Sequence, residues 1–440
     1  MASINTSARA EQFTHEGAVA RILNPEQQLR RTVMACMLWE NTFYEDGESI
    51  VDRILESASK LSFEKVAGIA IEAREKMKLR HVPLLLACAL ASRKGGRLMG
   101  DLLERIIQRP DELTEFLSLY WKDGKKPIAK QIKIGLARAL RKFNEYELAK
   151  YNRDNKVKLR DVLFLSHAKP KDDEQAALWK RLANNSLVTP DTWEVALSGG
   201  ADKKESFERL MSEKKLGALA FLRNLRNMHD VGINKKFIAE YAATLNVDRI
   251  LPFRFITAAR IVPQWEDVLE PLMMKCLEGQ KKLPGTTVLL LDVSGSMMDP
   301  LSNKSETTCM DAGFGLGILL REICEEGAIF TFSHRIVQVA PRRGFALRDA
   351  MMGSQPHGGT YLAESIRAIN EKVPYDRLIV ITDEQTADGI ISPNGLGYII
   401  NVGTYKNGVG YGKWMHIDGW SESIIDYIQA YEANLGNKND

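Results

Sequence analysis

Five side chains in the last third of the chain have the types and spacing to hold a hard divalent cation. The stretch "LDVSGSM" closes a run of apolar residues, and Asp292, Ser294 and Ser296 fall at alternating positions within it. Alternation sends three oxygens to one side of an extended chain, just where strand gives way to loop. A second loop, "HGGTYLAES", pairs Gly358 and Gly359 for a tight turn with Thr360, whose hydroxyl stands where a helix would begin. In the third, "VITDEQ", Asp383 closes another apolar run. Two carboxylates and three hydroxyls suit Mg²⁺, or another divalent cation, because such an ion takes near-octahedral oxygen ligands and keeps several waters. Asp292 and Ser294 alone would read as a helix cap. Three loops of matching chemistry favour the metal.

The elements that must position these loops are legible around them. "TVLLLDVS" (287–294) is a continuous β-branched and aliphatic run, the mark of a strand buried on both faces. "GAIFTFSHRIVQVA", "DRLIVITDEQ" and "LGYIINVGT" read as further strands. Helices are expected between them near 312–324 and 362–373, and at the end over 421–434. Strands alternating with helices predict an open, doubly wound, mostly parallel sheet of α/β type, which binds ligands beyond the carboxyl ends of its strands. The three loops resemble the von Willebrand factor A fold (a Rossmann-type sheet) with a metal-ion-dependent adhesion site. The resemblance implies that Asp292, Ser294, Ser296, Thr360 and Asp383 fill that site's roles, with coordination left open for a partner's carboxylate or phosphate. His334 and His357, in the same half, are expected to be surface or structural residues.

The rest of the chain is expected to be all-α. From about Pro25 to Glu278 apolar residues recur at three- and four-residue spacing, broken at points such as Gly95-Gly96 and Thr189-Pro190. Helices of this length on short turns predict an irregular, HEAT-like stack of helix pairs, ending at the polar connector "EGQKKLPGTT". Composition thus divides the chain at residues 1–284 and 285–440.

Charge is concentrated in one part of the helical half. Net charge is only +3, yet 122–169 holds fourteen Lys and Arg against five Asp and Glu, which leaves the remainder net negative by six. On "KPIAKQIKIGLARALRKF", a helix would bring Lys126, Lys130, Lys133 and Arg141 to one face beside an aliphatic sector. Lys150, Arg153 and Lys158 extend the belt. A solvated helix face is the ordinary explanation of such residues; the local imbalance favours a phosphate-binding surface.

The same segment, "LAKYNRDNKVKLRDVLFLSHAKP" (148–170), resembles the signature of the Ro/TROVE family of RNA-binding proteins. "LGALAFLRNLRNMHDVGI" (216–233) and "RILPFRFITAARIV" (249–262) resemble later family segments, and the A-like domain follows in the family's order. The resemblance implies a ring of helical repeats closed by the A-domain, and compact bacterial or viral members are the nearest in length. It implies binding of small non-coding Y RNA on the ring's outer basic surface, and of single-stranded ends of misfolded RNA in its hole. That is a role in RNA quality control or as a ribonucleoprotein scaffold, in company with an exoribonuclease in bacteria, and not catalysis. Lys150 and His167 match family positions that contact Y RNA; a nearby basic position appears here as Asp154, preceded by Arg153.

Other readings are weaker. An intracellular metal-dependent adhesion scaffold, capturing an acidic partner at the A-domain site, explains the loops but not the belt. A nucleotide-driven enzyme lacks its phosphate loop, since "GVGYGK" has the wrong spacing. No run of about 18 apolar residues and no signal-peptide pattern occurs, so a cytoplasmic protein without a membrane partner is expected. DNA specificity is not expected. Five scattered cysteines without a CxxC pair read as buried free thiols.

Overall fold

The computed structural model describes residues 12–20, 22–34, 47–93, 95–248, 250, 252–278, 282–302, 305–403 and 405–420, with 424, 425, 428, 429, 431 and 432. The chain forms two compact units. One comprises 25–38 and 48–244, the other 1–24, 39–47 and 245–440. Most of the expected closing helix lies outside the described residues, as does Cys36; the other four cysteines are free, and Cys276, Cys309 and Cys324 are buried.

The first unit is wholly helical among its described elements. Helices Phe63–Glu75, Leu98–Ile106, Lys130–Leu140 and Leu159–Ser166 pack in succession as one layer, and His81–Leu90, Pro110–Tyr120 and Glu145–Tyr151 as a second. Leu29 to Leu182 share one apolar core between the layers. One close approach is glycine on glycine. A methyl on Gly135 would lie 2.7 Å from Leu103 Cβ and 2.8 Å from the Gly100 carbonyl oxygen, so helices Leu98–Ile106 and Lys130–Leu140 meet backbone to backbone. Between the layers Arg74 Nη2 donates to Glu112 Oε1 at 2.9 Å, both residues buried, while the amides of Gln108 and Arg109 donate to Glu112 Oε2.

The second unit is built on one six-stranded sheet: β1 (Leu283–Asp292), β2 (Cys324–Phe332), β3 (Ile336–Gln338), β4 (Arg377–Thr382), β5 (Leu396–Asn401) and β6 (Met415–Asp418). Their order is β3-β2-β1-β4-β5-β6, all parallel except β3, which returns antiparallel on β2. The expected single strand in "GAIFTFSHRIVQVA" is therefore a hairpin, because the polar Ser333-His334-Arg335 turns the chain. β6 is shorter than a pattern can reveal. Helices Pro252–Ile261 and Glu266–Lys275 belong to this unit, where Arg260 Nη2 bonds Asp311 Oδ1 at 2.6 Å and Phe345 N donates to Glu270 Oε1 at 2.8 Å. The polar connector near 285 marks a change of composition, and packing divides the chain earlier.

Candidate metal centre and candidate nucleic-acid interface

Chain order reverses between β1 and β4, and a crevice opens there at the carboxyl edge of such sheets. Register brings Leu291 opposite Ile381, so the next residues, Asp292 on β1 and Thr382-Asp383 after β4, emerge side by side. Asp292, Ser294, Thr360 and Asp383 are fully or almost fully buried; Ser296 is half-buried. Asp292 Oδ1 accepts from Ser294 N at 2.8 Å and Oδ2 from Thr382 Oγ1 at 2.6 Å. Ser294 Oγ and Ser296 Oγ lie 3.4 Å apart. Asp383 Oδ1 accepts from Gln385 N at 3.1 Å.

The loops are stitched to one another. Gly295 N donates to Gly358 O at 3.1 Å, and the Thr360 carbonyl accepts from Thr386 Oγ1 and Ala387 N, each at 2.9 Å. His357 Nδ1 bonds the Val293 carbonyl at 2.7 Å, and Gly359 N donates to His334 Nε2 at 3.3 Å. Both histidines brace the second loop, as structural residues. Gly358 lets the His334 ring lie against the loop, because a methyl on it would fall 1.6 Å from His334 Nε2 and displace that ring.

Electrostatically the cluster is one that could hold a cation. Burial pushes the Asp292 carboxyl up to about 7, and the Asp383 charge adds to it, against hydrogen bonds from Ser294 and Thr382. All of the hydrogen-bond partners of Asp292 named here are neutral. Thr360 Oγ1 is buried and lacks a hydrogen-bond partner among the described residues, although an orphaned buried hydroxyl is costly. Like charges beside an unused oxygen fit a hard divalent ion, which would satisfy both. The donors are two carboxylates and hydroxyls; among the described residues no group of three His, Cys, Asp or Glu could hold a metal.

Several neighbours escaped the sequence reading. Thr382 adjoins Asp383 and was legible as a second strand-end hydroxyl. Asp299, half-buried, is raised by burial and by Asp383. Glu384 is fully buried with φ of 62° and pairs with His416, whose Nδ1 lies 3.4 Å from Asp418 Oδ2. Burial alone would lower the His416 ring; Asp418 and Glu384 overcome it and push it up to about 9. Residues near the start of the chain also reach this edge: Thr14 Oγ1 donates to Thr386 O at 2.8 Å and His15 N to Gln385 Oε1 at 2.7 Å. Nothing in sequence spacing signals contacts across some 370 residues.

The basic belt lies in the helical unit and differs in one respect from expectation. Helix Lys130–Leu140 starts after an extended segment with Ala129 as its cap, so Lys126 is not on it. Pro127 is the cause: it disfavours helix at Lys126, whose carbonyl instead accepts from Trp121 Nε1 at 2.8 Å. The Lys126 ammonium sits 4.4 Å from the centre of the Tyr120 ring. Lys130 and Lys133 are helical, and Arg141 is the C-cap, its Nε donating to Lys169 O at 2.9 Å. Lys133 Nζ lies 3.4 Å from His167 Nε2, bringing together residues from two helices. His167 caps helix Leu159–Ser166 in the left-handed conformation, φ 53°. Lys150 and Arg153 line a cleft of about 400 Å³ with Asn152, Asn185 and Thr189. Lys158 caps the same helix as His167 and is paired with Asp154.

Most of the belt differs in pairing from four arginines of the same unit. Arg105 binds Glu75, Arg138 binds Asp101, Arg181 binds Glu145 and Arg209 binds Asp191, each at 2.7 Å. Among the described residues Lys126, Lys130, Lys133, Arg141, Lys150 and Arg153 form no ion pair, and Lys126, Lys130, Arg141 and Arg153 are exposed.

Two family models match. The TROVE domain covers residues 180–282 and the Ro60 vWA domain residues 286–395. Both models describe domains of Ro/TROVE proteins, and they occur here in that order. A TROVE domain is associated with RNA binding. All five candidate metal residues fall inside the matched A-domain, whereas the eight candidate RNA residues precede the matched TROVE segment. The crystal structure of the Ro (RSR) protein of Deinococcus radiodurans is similar in fold, with a TM-score of 0.59 over 92% of this chain and 99% of that one, at 18% identity. No curated protein sequence matches the chain. No helix among the described residues is long and apolar enough to cross a membrane.

Proposed function

We propose that the protein binds small, Y-like non-coding RNA on the basic face of its helical unit, takes single-stranded ends of misfolded RNA, and serves RNA quality control in the cytoplasm. The observation that carries this reading is the unpaired belt. Elsewhere in the helical unit Arg105, Arg138, Arg181 and Arg209 are held by carboxylates, while Lys126, Lys130, Lys133, Arg141, Lys150 and Arg153 form no ion pair among the described residues. Cations without internal partners favour an external polyanion, and each phosphate contact releases counterions. Lys150 and His167 also stand at family positions for Y RNA. An exoribonuclease is the expected protein partner.

In the A-domain, Asp292, Ser294, Ser296, Thr360 and Asp383 would hold Mg²⁺. The ion would neutralise the carboxylate pair and offer an open position to a carboxylate or phosphate on a partner. The raised Asp292 carboxyl and the orphaned Thr360 hydroxyl support this. A metal-dependent adhesion scaffold is the second reading, favoured by the same hydroxyl.

Changing Lys126, Lys130, Lys133 and Lys150 together to Glu tests the first reading. Affinity for a structured small RNA in filter binding should fall by about two to three orders of magnitude, with the circular dichroism unchanged. Unchanged affinity would favour the scaffold.

A further inference from the structure

Helix Leu159–Ser166 carries a residue that the belt does not explain. Phe164 is 62% exposed, and Leu165 beside it 37%, while Leu159, Val162 and Leu163 on the other side fill the core. A phenylalanine at this exposure leaves most of its ring in water, which burial would favour by roughly 25 cal/mol per Å². Its surroundings are cationic. Arg160 lies four residues before it, a spacing that shares one helix face, and His167 follows as the left-handed cap of the same helix. Lys133 joins them through its 3.4 Å contact with His167, and Arg141 reaches the Lys169 carbonyl just beyond. Among the described residues Lys133, Arg141, Arg160 and Lys169 form no ion pair. The nearest carboxylate on the helix, Asp161, is engaged by the Lys158 amide at 2.9 Å.

We infer that Phe164 is a stacking platform for one unpaired RNA base, with Arg160, His167 and Lys133 taking the flanking phosphates. This rests on the RNA reading and adds a preference to it. A single flat ring in a cationic field matches a base and its phosphates; a protein helix would ask for a broader apolar strip. Stacking is indifferent to base identity, because every base has a π-face, but it requires the base to be unpaired. Phosphate contacts alone confer no such preference. The ring therefore selects loops, bulges and single strands over duplex.

The test compares a single-stranded RNA of about 12 nucleotides carrying 2-aminopurine with a blunt RNA duplex of the same length. Wild type, Phe164→Ala and Phe164→Trp are titrated at about 0.1 M salt, with melting temperatures measured alongside. Phe164→Ala should bind the single strand about tenfold more weakly, leave duplex binding and melting temperature unchanged, and lose the 2-aminopurine quench. Phe164→Trp should keep affinity and quench. Equal single-strand affinity in wild type and Phe164→Ala overturns the stacking role while leaving the RNA reading intact. So does an equal loss on both RNAs, or a shift in self-association by sedimentation with RNA binding unchanged. A wild-type protein that binds neither RNA overturns the RNA reading itself.

Discussion

At the carboxyl edge of the sheet, Asp292 and Asp383 are buried almost completely, side by side, with neutral donors around the first of them. On the helical unit, Lys130, Arg141 and Arg153 stand exposed without carboxylates. The two regions concentrate charge of opposite sign, one buried and one in water. Burial makes the carboxylate pair expensive, which would favour a compact ion of high charge density over a large partner. Exposure makes the ammonium and guanidinium groups inexpensive in water, and an extended anion would gain there by releasing counterions. A third group of cations, typified by Arg74 on Glu112, is compensated internally and holds helices together. Pairing, more than charge, tells these roles apart.

The contrast breaks most readily at the compensated pair. Glu112→Ala should cost about 3–5 kcal/mol in urea denaturation, because it strands the buried Arg74 guanidinium. A loss below about 1 kcal/mol would place that arginine among the surface cations. Next, Asp292→Ala should weaken Mg²⁺ binding in calorimetry by about a hundredfold, roughly 2.7 kcal/mol, and leave RNA affinity as it was. Equal loss of RNA would mean that the two regions act as one site.

The pH dependence of the metal effect should be smaller but of definite sign. Asp292 is raised from 3.8 to about 7 in the folded protein, so between those values the folded state binds the proton more tightly than the unfolded one. Without metal, this group's contribution therefore declines as pH rises from about 4 to about 7. Mg²⁺ competes with that proton, so the rise in melting temperature on adding Mg²⁺ should be larger at pH 8 than at pH 5.5. A larger rise at the lower pH would argue against coordination by Asp292. The smallest effect belongs to one belt lysine. Lys133→Ala should alter stability by less than about 0.5 kcal/mol and reduce the salt slope of RNA binding by about one.

The placement of Asp292 and Asp383 in the candidate site was legible because both lie at strand ends. A run of buried aliphatics fixes where β1 and β4 stop, and alternation fixes which oxygens follow on one side. Thr382 was legible only as a strand-end hydroxyl; its bond to Asp292 across the two strands has no signature in spacing. The belt was legible as composition, yet its geometry was only half so. Pro127 removed Lys126 from the helix, and a pairing list cannot be read from spacing. Arg138 and Lys133 belong to the same helix; only the fold sets Asp101 against the first and His167 against the second.

Periodicity and residue type over a few turns thus marked most of the elements, the cluster of strand-end oxygens and the local excess of positive charge, although not the β2–β3 hairpin or β6. Only the tertiary structure decided which charges are answered. It set Asp292 beside Asp383, orphaned the Thr360 hydroxyl, paired Glu384 with His416, and brought residues 14 and 15 to the edge of the third loop. Those outcomes depend on contacts between distant segments, which burial and register create and which local pattern does not encode.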